Sequence, residues 1–122
     1  MRALVVDDSR AMRAILGNIL RELGFEVAEA ADGPAALAAR RAGEAELMVV
    51  DWHLPDMSGP ELIRAVRAEA AWNGTRILMV TTEVERESVA KALRCGVTEY
   101  VMKPFTRDVL LSKLALLGLR PS

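Results

Sequence analysis

The chain has 122 residues, of which 52% are hydrophobic, and its 16 basic and 17 acidic residues leave a formal net charge of −1. A chain of this length fits one domain over residues 1–122, and its one cysteine, Cys95, can form no internal bridge, which favours a reducing, cytoplasmic compartment. The balanced charge gives no support to nucleic-acid binding, and no apolar run reaches the ~18 residues of a membrane span.

Short apolar runs and segments of helical periodicity alternate along the whole chain. The runs predict five strands, over residues 3–6, 25–30, 47–51, 76–80 and 98–102. The periodic segments predict five helices, over residues 12–23, 35–42, 60–66, 84–95 and 106–117. Either Asp8 or Ser9 is expected to cap the first helix. This alternation predicts an α/β fold in which helices cover both faces of a doubly wound, five-stranded parallel sheet.

Acidic residues stand at the carboxyl ends of two predicted strands, with Asp7 and Asp8 directly after the first and Asp51 as the last residue of the third. Ligands bind at this end of parallel strands, and a strand order of 2-1-3-4-5 would bring the three carboxylates together between strands one and three. Each like-charge pair at about 4 Å costs on the order of 4 kcal/mol at an effective dielectric near 20. Such a cluster raises a pKa or holds a cation, and oxygen ligands suit Mg²⁺, so the pattern predicts a metal-dependent anion or phosphoryl site.

Two other predicted strands end in polar residues that would share this edge, Thr81 after the fourth strand and Lys103 after the fifth. Singly, each of these polar residues has an ordinary interpretation as a helix cap, a turn residue or a solvated lysine. Their joint placement at one edge of the sheet favours a functional site instead.

Four segments of the sequence carry a resemblance to a known family. They are VVDDS at residues 5–9, DWHLPDMSG at 51–59, VTTE at 80–83 and YVMKPF at 100–105. In this order they resemble the receiver domains of bacterial two-component response regulators, and most of all the single-domain receivers of chemotaxis. The resemblance covers essentially the whole chain and implies a flavodoxin-like fold with the strand order 2-1-3-4-5.

The resemblance also implies a function, that of a phosphorylation-dependent signalling switch rather than an enzyme. Asp51 would accept a phosphoryl group from a phosphohistidine of a sensor histidine kinase. Asp8, Asp51 and the backbone carbonyl of His53 would hold Mg²⁺, while Asp7 would orient water bound to the metal.

The same resemblance implies how the phosphoryl group is sensed. Lys103 would contact a phosphoryl oxygen, and the Lys103-Pro104 peptide bond is typically cis. Thr81 would donate its hydroxyl to the phosphoryl group, and Tyr100 would turn into the space that the Thr81 loop leaves. That movement would change the face made by the predicted helix over 84–95, the fifth strand and the C-terminal helix, which an unidentified downstream target would read.

Three positions beside this set are expected to tune the rates of phosphorylation and dephosphorylation. His53 is either a solvated loop residue or the partner of Glu83 in an ion pair that screens the phosphorylated aspartate from water. Thr82 stands where receivers usually carry a smaller residue such as alanine, and it would narrow access to the site.

The residues alone leave other functions open. A haloacid-dehalogenase-type phosphatase also uses an aspartate nucleophile with Mg²⁺, but it needs a second acidic residue two positions on, where His53 stands. A receiver-like module that is never phosphorylated would not need the intact set of Asp8, Asp51, Thr81 and Lys103. The sequence fits both a stand-alone regulator and a module excised from a larger response regulator or phosphorelay protein.

The predicted C-terminal helix carries more apolar residues than one docking face needs. A narrow stripe at ~100° per residue contains Leu110, Leu114 and Leu117. Val109 and Leu116 fall on one flank of this stripe, and Leu111 falls on the other. The flanks are expected to be either sheltered by neighbouring elements or exposed as a surface for a partner or for a homodimer.

Overall fold

A computed structural model describes residues 1–40, 45–82 and 96–119 of the chain. Its five strands are all parallel, and they are β1 (Arg2–Val6), β2 (Glu26–Ala30), β3 (Leu47–Asp51), β4 (Arg76–Thr82) and β5 (Glu99–Lys103). The strands lie in one sheet in the order β2-β1-β3-β4-β5. The predicted parallel sheet and its strand order are therefore confirmed.

Four α-helices and one short 3-10 helix accompany the sheet in the described part of the chain. They are α1 (Arg10–Glu22), α2 (Gly33–Arg40), α3 (Gly59–Arg67), the 3-10 helix (Ala70–Trp72) and the C-terminal helix α4 (Arg107–Leu116). The helix predicted over residues 84–95 lies outside the described residues. Of the helices described, none has the length and apolar character needed to cross a membrane.

Side-chain caps explain where the first two helices begin. Ser9 is the N-cap of α1, where its hydroxyl accepts a hydrogen bond from a backbone N–H of the first turn at 3.2 Å. Of the two candidate caps, Ser9 therefore takes this role, and Asp8 stays exposed. The α2 helix begins at Gly33, earlier than predicted, because the Asp32 carboxylate caps it by accepting from the N–H of Ala35 at 2.7 Å.

The pleat of the strands divides the core into two layers. Val5 and Val49 face one side of the sheet and pack with α1 and α4, while Leu4 and Met48 face the other side and pack with α2 and α3. The stripe predicted on the C-terminal helix is buried in the first layer, and it consists of Leu110, Leu114 and Leu117. The central strands are thus buried on both faces, which explains their nearly continuous apolar sequences.

The strand register brings the predicted site residues to one edge of the sheet. Asp7 and Asp51 follow directly on paired residues of β1 and β3, which places them at the same level. Thr81 lies one residue beyond the β4 partner of Asp51, and Lys103 lies one residue beyond the β5 partner of Thr81. Because a strand rises only about 3.3 Å per residue, the four side chains share the carboxyl edge of the sheet.

Candidate functional site

Three hydrogen bonds fix the position of Asp7. Its backbone N–H donates to Ala30 O at 3.1 Å, its backbone carbonyl accepts from Arg13 Nη1 at 2.7 Å, and its Oδ1 accepts from the N–H of Ser9 at 2.8 Å. The other carboxylate oxygen, Oδ2, is buried and has no hydrogen-bond partner among the described residues. Since a buried carboxylate oxygen without a donor is costly, Oδ2 marks a place where a cation would be stabilised.

Three carboxylates converge at this point. Oxygens of Asp7, Asp8 and Asp51 all lie within 4.8 Å of one another. Asp7 and Asp51 are buried, whereas Asp8 is exposed. An all-oxygen donor set suits a hard divalent cation such as Mg²⁺, which also keeps part of its water shell. The residues present therefore fit the predicted metal.

Lys103 brings a positive charge to the site from the end of β5, and its peptide bond to Pro104 is cis, as the resemblance implies. Its Nζ lies 3.5 Å from Asp51 Oδ1 and 3.6 Å from Asp7 Oδ2, so that one ammonium group bridges both carboxylates. Both distances exceed the ~2.8 Å of a tight charge-assisted hydrogen bond, so the lysine is not locked onto either carboxylate. One lysine offsets the charge of only one of the three carboxylates, and the two negative charges that remain would be neutralised by a divalent cation.

Burial raises the pKa of the Asp51 carboxyl above its ordinary value, because the charged form loses its hydration. The negative charge of Asp7 raises this pKa further, and Asp8 adds in the same direction. Lys103 opposes them through its charge and its hydrogen bond, but the pKa of Asp51 stays raised. A reaction or a ligand that neutralises the charge of the Asp51 carboxylate is therefore favoured.

Two further predicted residues lie on the neighbouring strands. Thr81 is buried at the end of β4, beside the strand that carries Asp51. Tyr100 is half-buried on β5, where Lys113 Nζ lies 5.0 Å from the centre of its ring. The structure thus places Thr81 at the edge that carries the acidic cluster and Tyr100 three residues before Lys103 on the next strand.

The positions expected to tune the site are only partly described. His53 is exposed in the loop between β3 and α3. Thr82 is the last residue of β4, but its side chain lies outside the described part of the structure, as does the whole of Glu83. The ion pair between His53 and Glu83 therefore stays a prediction.

Gly59 supports the site in a way that sequence reasoning missed. The loop after β3 folds back so that the Gly59 N–H donates to Trp52 O at 3.0 Å. A Cβ at this position would lie 2.7 Å from the backbone oxygen of Asp51, which is closer than real Cβ atoms come. Glycine thus lets α3 begin directly against the end of β3. The sequence does contain one indication that α3 begins at this point, because Ser58, directly before the glycine, is a residue type that caps helices and does cap α3.

The C-terminal helix exposes one of its two apolar flanks. Leu116 is 70% exposed and Val109 is 42% exposed, while Leu111 on the other flank packs partly buried against the first core layer. Lys113 of the same helix lies over the ring of Tyr100, which connects α4 to β5. The flank with Val109 and Leu116 is therefore an accessible apolar surface.

The fold and the acidic edge are those of a known class of signalling protein. The family model of the response regulator receiver domain matches residues 3–115, and the chain belongs to this family. The resemblance carried by the four sequence segments is thereby confirmed, and the protein is a signalling protein of the two-component type. Receiver domains of this kind interact with histidine kinases and with downstream targets.

Two of the similar proteins are chemotaxis proteins, and a third is part of a sensor kinase. This chain is 45% identical to the chemotaxis protein CheY of Pseudomonas aeruginosa over 115 residues, which make up 93% of each chain. The structure of the chemotaxis response regulator CheY4 of Vibrio cholerae matches with a TM-score of 0.89 at 35% identity, over 95% of this chain and 97% of that one. The receiver domain of a sensor histidine kinase from P. aeruginosa, solved with a magnesium ion coordinated in its active site cleft, matches with a TM-score of 0.85 at 25% identity, over 96% and 97% of the two chains.

Proposed function

We propose that this receiver is a phosphorylation-dependent switch in which Asp51 accepts a phosphoryl group from a phosphohistidine of a sensor histidine kinase. The observation that carries the proposal is the position of Lys103 Nζ, 3.5 Å from Asp51 Oδ1 and 3.6 Å from Asp7 Oδ2, within a cluster of three carboxylates. This arrangement combines the Asp51 carboxylate, whose charged form is destabilised, with the Lys103 ammonium group, which can bind phosphoryl oxygens.

In the proposed transfer, a carboxylate oxygen of Asp51 forms a bond to phosphorus while the phosphorus–nitrogen bond of the phosphohistidine breaks. The electron pair of that bond stays on the imidazole nitrogen, and the imidazole takes up a proton from water. The protein contributes positioning and charge neutralisation rather than further covalent chemistry. Lys103 would pass from the carboxylates to a phosphoryl oxygen as a compact point charge, and the Thr81 hydroxyl would donate to another phosphoryl oxygen.

The proposed metal ligands are Asp8, Asp51 and the backbone carbonyl of His53, with Asp7 beside them. When bound, Mg²⁺ would neutralise carboxylate and phosphoryl charge and so allow the two anions to approach. Two features support a cation at this site, namely the carboxylate charge that Lys103 leaves uncompensated and the buried Asp7 Oδ2, which accepts no hydrogen bond in the described part of the chain and meets Lys103 Nζ only at 3.6 Å. The magnesium ion in the active site cleft of the related kinase receiver domain supports magnesium as the ion.

The proposed output surface lies on the side of the sheet formed by β5 and α4. Thr81 and Tyr100 lie on neighbouring strands, so that movement of Thr81 toward a phosphoryl group would open space for the Tyr100 ring. Lys113 covers that ring and so couples its movement to α4. A downstream target, or a second copy of the chain in a homodimer, would then bind the flank that contains Val109 and Leu116.

His53, Thr82 and Glu83 are proposed to set how long the phosphorylated state lasts. His53 lies two residues beyond Asp51, and Glu83 lies two residues beyond Thr81. Both would therefore flank a phosphoryl group on Asp51, and their replacement is expected to change the rate of its hydrolysis.

Incubation of the purified chain with acetyl phosphate and Mg²⁺, followed by intact-mass and phosphate-release measurements, tests this function. The switch predicts one phosphate per chain that persists for minutes, with little turnover. Continuous release of phosphate would favour an aspartate-nucleophile phosphatase, which the position of His53 argues against. A folded chain that takes up no phosphate would instead be a binding module, and the proposal would be wrong.

A further inference from the structure

We infer that Arg13 is a positioning residue of the cation site, since its guanidinium joins the backbone carbonyl of Asp7, after β1, to the carboxylate of Glu29 on β2. The inference rests on the proposed function, because it concerns the metal site of that function. It assigns a role to a residue that neither carries the transfer chemistry nor contacts the ion.

The contacts of Arg13 span two elements. Its Nη1 donates to Asp7 O at 2.7 Å, and its Nε lies 3.4 Å from Glu29 Oε1. The Arg13 side chain is 16% exposed and the Glu29 side chain is 34% exposed, so the bond to the backbone of the buried Asp7 is the better shielded of the two contacts. A planar guanidinium can hold both partners at once, which a lysine ammonium on a flexible stem does less well.

The carbonyl that Arg13 holds belongs to the peptide plane between Asp7 and Asp8. Because this plane is rigid, its orientation sets the direction in which both residues leave the end of β1. The N–H and Oδ1 of Asp7 are already hydrogen-bonded, so the bond from Arg13 fixes the last backbone group of that residue. The two carboxylates are thereby directed to the point where they meet Asp51.

The role of Arg13 is testable because its charge and its positioning role predict opposite changes in Mg²⁺ affinity when the residue is replaced. An arginine near a cation site repels the cation, so its removal would strengthen Mg²⁺ binding if charge alone mattered. If Arg13 positions Asp7 and Asp8, its removal weakens binding instead. Partners that orient metal ligands from outside typically change metal affinity about 10- to 100-fold when they are lost.

Arg21 provides the matched comparison. Its Nη2 lies 3.4 Å from Oε2 of the same Glu29, so it forms the same kind of ion pair with the same partner. It lies about two helical turns further along α1 than Arg13. If these arginines only attached α1 to β2, replacing either one would have the same effect on the metal site.

The experiment compares Arg13→Met with Arg21→Met by isothermal titration with Mg²⁺ alone, on protein whose folded state is checked by circular dichroism. We expect the Kd for Mg²⁺ to rise about tenfold or more in Arg13→Met, and to change by less than about twofold in Arg21→Met. Equal Mg²⁺ affinity in the two folded variants would overturn the positioning role and leave the proposed function intact.

Arg13→Lys and Arg21→Lys form a second pair that keeps the charge and decides the matter if Arg13→Met does not fold. Arg13→Lys should bind Mg²⁺ more weakly than Arg21→Lys, because one ammonium group cannot hold both partners of Arg13. Equal affinity in this pair would also overturn the role. A wild-type chain that binds no Mg²⁺ in the same titration would overturn both the role and the proposed metal site.

Discussion

At the scale of single residues, the chemistry of the site follows from how little positive charge surrounds Asp51. Its pKa is raised first by burial and then by the charge of Asp7, and Lys103 only partly opposes this. In the unfolded chain an aspartate has a pKa of about 3.9. The charged form of Asp51 is therefore disfavoured in the folded chain relative to the unfolded one.

Asp51→Asn should accordingly stabilise the metal-free protein near neutral pH. A carboxyl whose pKa is raised on folding contributes stability below its unfolded pKa of about 3.9, and this contribution is lost as the pH rises through the raised pKa. Asparagine has no such charge, so its advantage in unfolding free energy should be largest near pH ~7 and shrink as the pH falls toward ~4. Denaturant unfolding in EDTA at several pH values measures this difference.

The control for that series is Asp56→Asn, which changes an exposed aspartate of the loop after β3. It should show no comparable gain in unfolding free energy at neutral pH. An Asp51→Asn variant whose stability follows the same pH profile as the wild type would mean that the charge of Asp51 is not costly in the folded protein.

Single residues differ in how far the sequence predicts their roles. Asp7 and Asp51 could be predicted as site residues because each ends an apolar strand, and the ends of parallel strands share an edge. Arg13 could not, because its partner Glu29 stands on β2 and approaches it only when β2 pairs with β1. The role of Gly59 could not be predicted either, because a side chain is excluded there only by the backbone of Asp51, which comes close in the folded structure.

At the scale of elements, the capping side chains and the close approach of α3 to β3 decide where the helices stand. The periodicity predicts α2 from residue 35, whereas the helix begins at Gly33 because the Asp32 carboxylate caps its first turn. The helix predicted over 84–95 stays a prediction. Helix existence could thus be predicted from periodicity, while helix starts depended on individual hydrogen bonds.

Gly59→Ala should destabilise the protein and disturb the site. The added Cβ would lie 2.7 Å from Asp51 O and 3.2 Å from Trp52 O, so that either α3 or the end of β3 must shift. We expect a loss of about 1–3 kcal/mol in unfolding free energy, as for other overpacked positions, together with weaker Mg²⁺ binding. Denaturant unfolding and Mg²⁺ titration measure the two effects.

Gly74→Ala is the matched control, because a Cβ at that position would have nothing within 4 Å. It should leave the Mg²⁺ affinity unchanged and the stability close to that of the wild type. If Gly59→Ala behaved in the same way, the contact between α3 and the end of β3 would not be a constraint on the site.

Leu116→Glu should weaken target binding or homodimer formation without reducing phosphorylation of Asp51. Leu116 is 70% exposed, so a charge there should change stability by no more than about 0.5 kcal/mol. Ala115→Glu places the same charge on the opposite flank of α4 and should leave assembly unchanged. Light scattering and partner pull-down, in both phosphorylation states, compare the two variants. Unaltered assembly and partner affinity in Leu116→Glu would make this flank ordinary surface.

At the scale of the whole molecule, the two edges of the sheet have different roles. The carboxyl edge holds the acidic cluster, while at the amino edge Arg67 ties several segments together. Its guanidinium donates to Trp72 O at 2.8 Å, to Thr75 O at 2.7 Å and to Gly96 O at 3.0 Å. These charge-assisted bonds join the end of α3 to the segments that lead into β4 and β5. We therefore expect changes at the site to leave the opposite edge in place.

The two tryptophans allow this separation to be measured. Trp52 directly follows Asp51 and is half-buried, whereas Trp72 is buried at the amino edge. In a Trp72→Phe host, Mg²⁺ should change the fluorescence emission, and adding Asp8→Ala should remove the response. In a Trp52→Phe host, the emission of Trp72 should stay constant during the same titration. A response that survives the loss of Asp8 would contradict the proposed metal ligands.

The most direct test that Asp51 is the acceptor is to find which residue carries phosphate after incubation with acetyl phosphate and Mg²⁺. Intact mass and peptide mapping should find one phosphate on the wild type and on Asp56→Asn, which makes the same substitution in the loop after β3. Asp51→Asn should take up none, although circular dichroism should show that it is folded. Phosphate on another residue of Asp51→Asn, at the rate seen in the wild type, would contradict the assignment of Asp51.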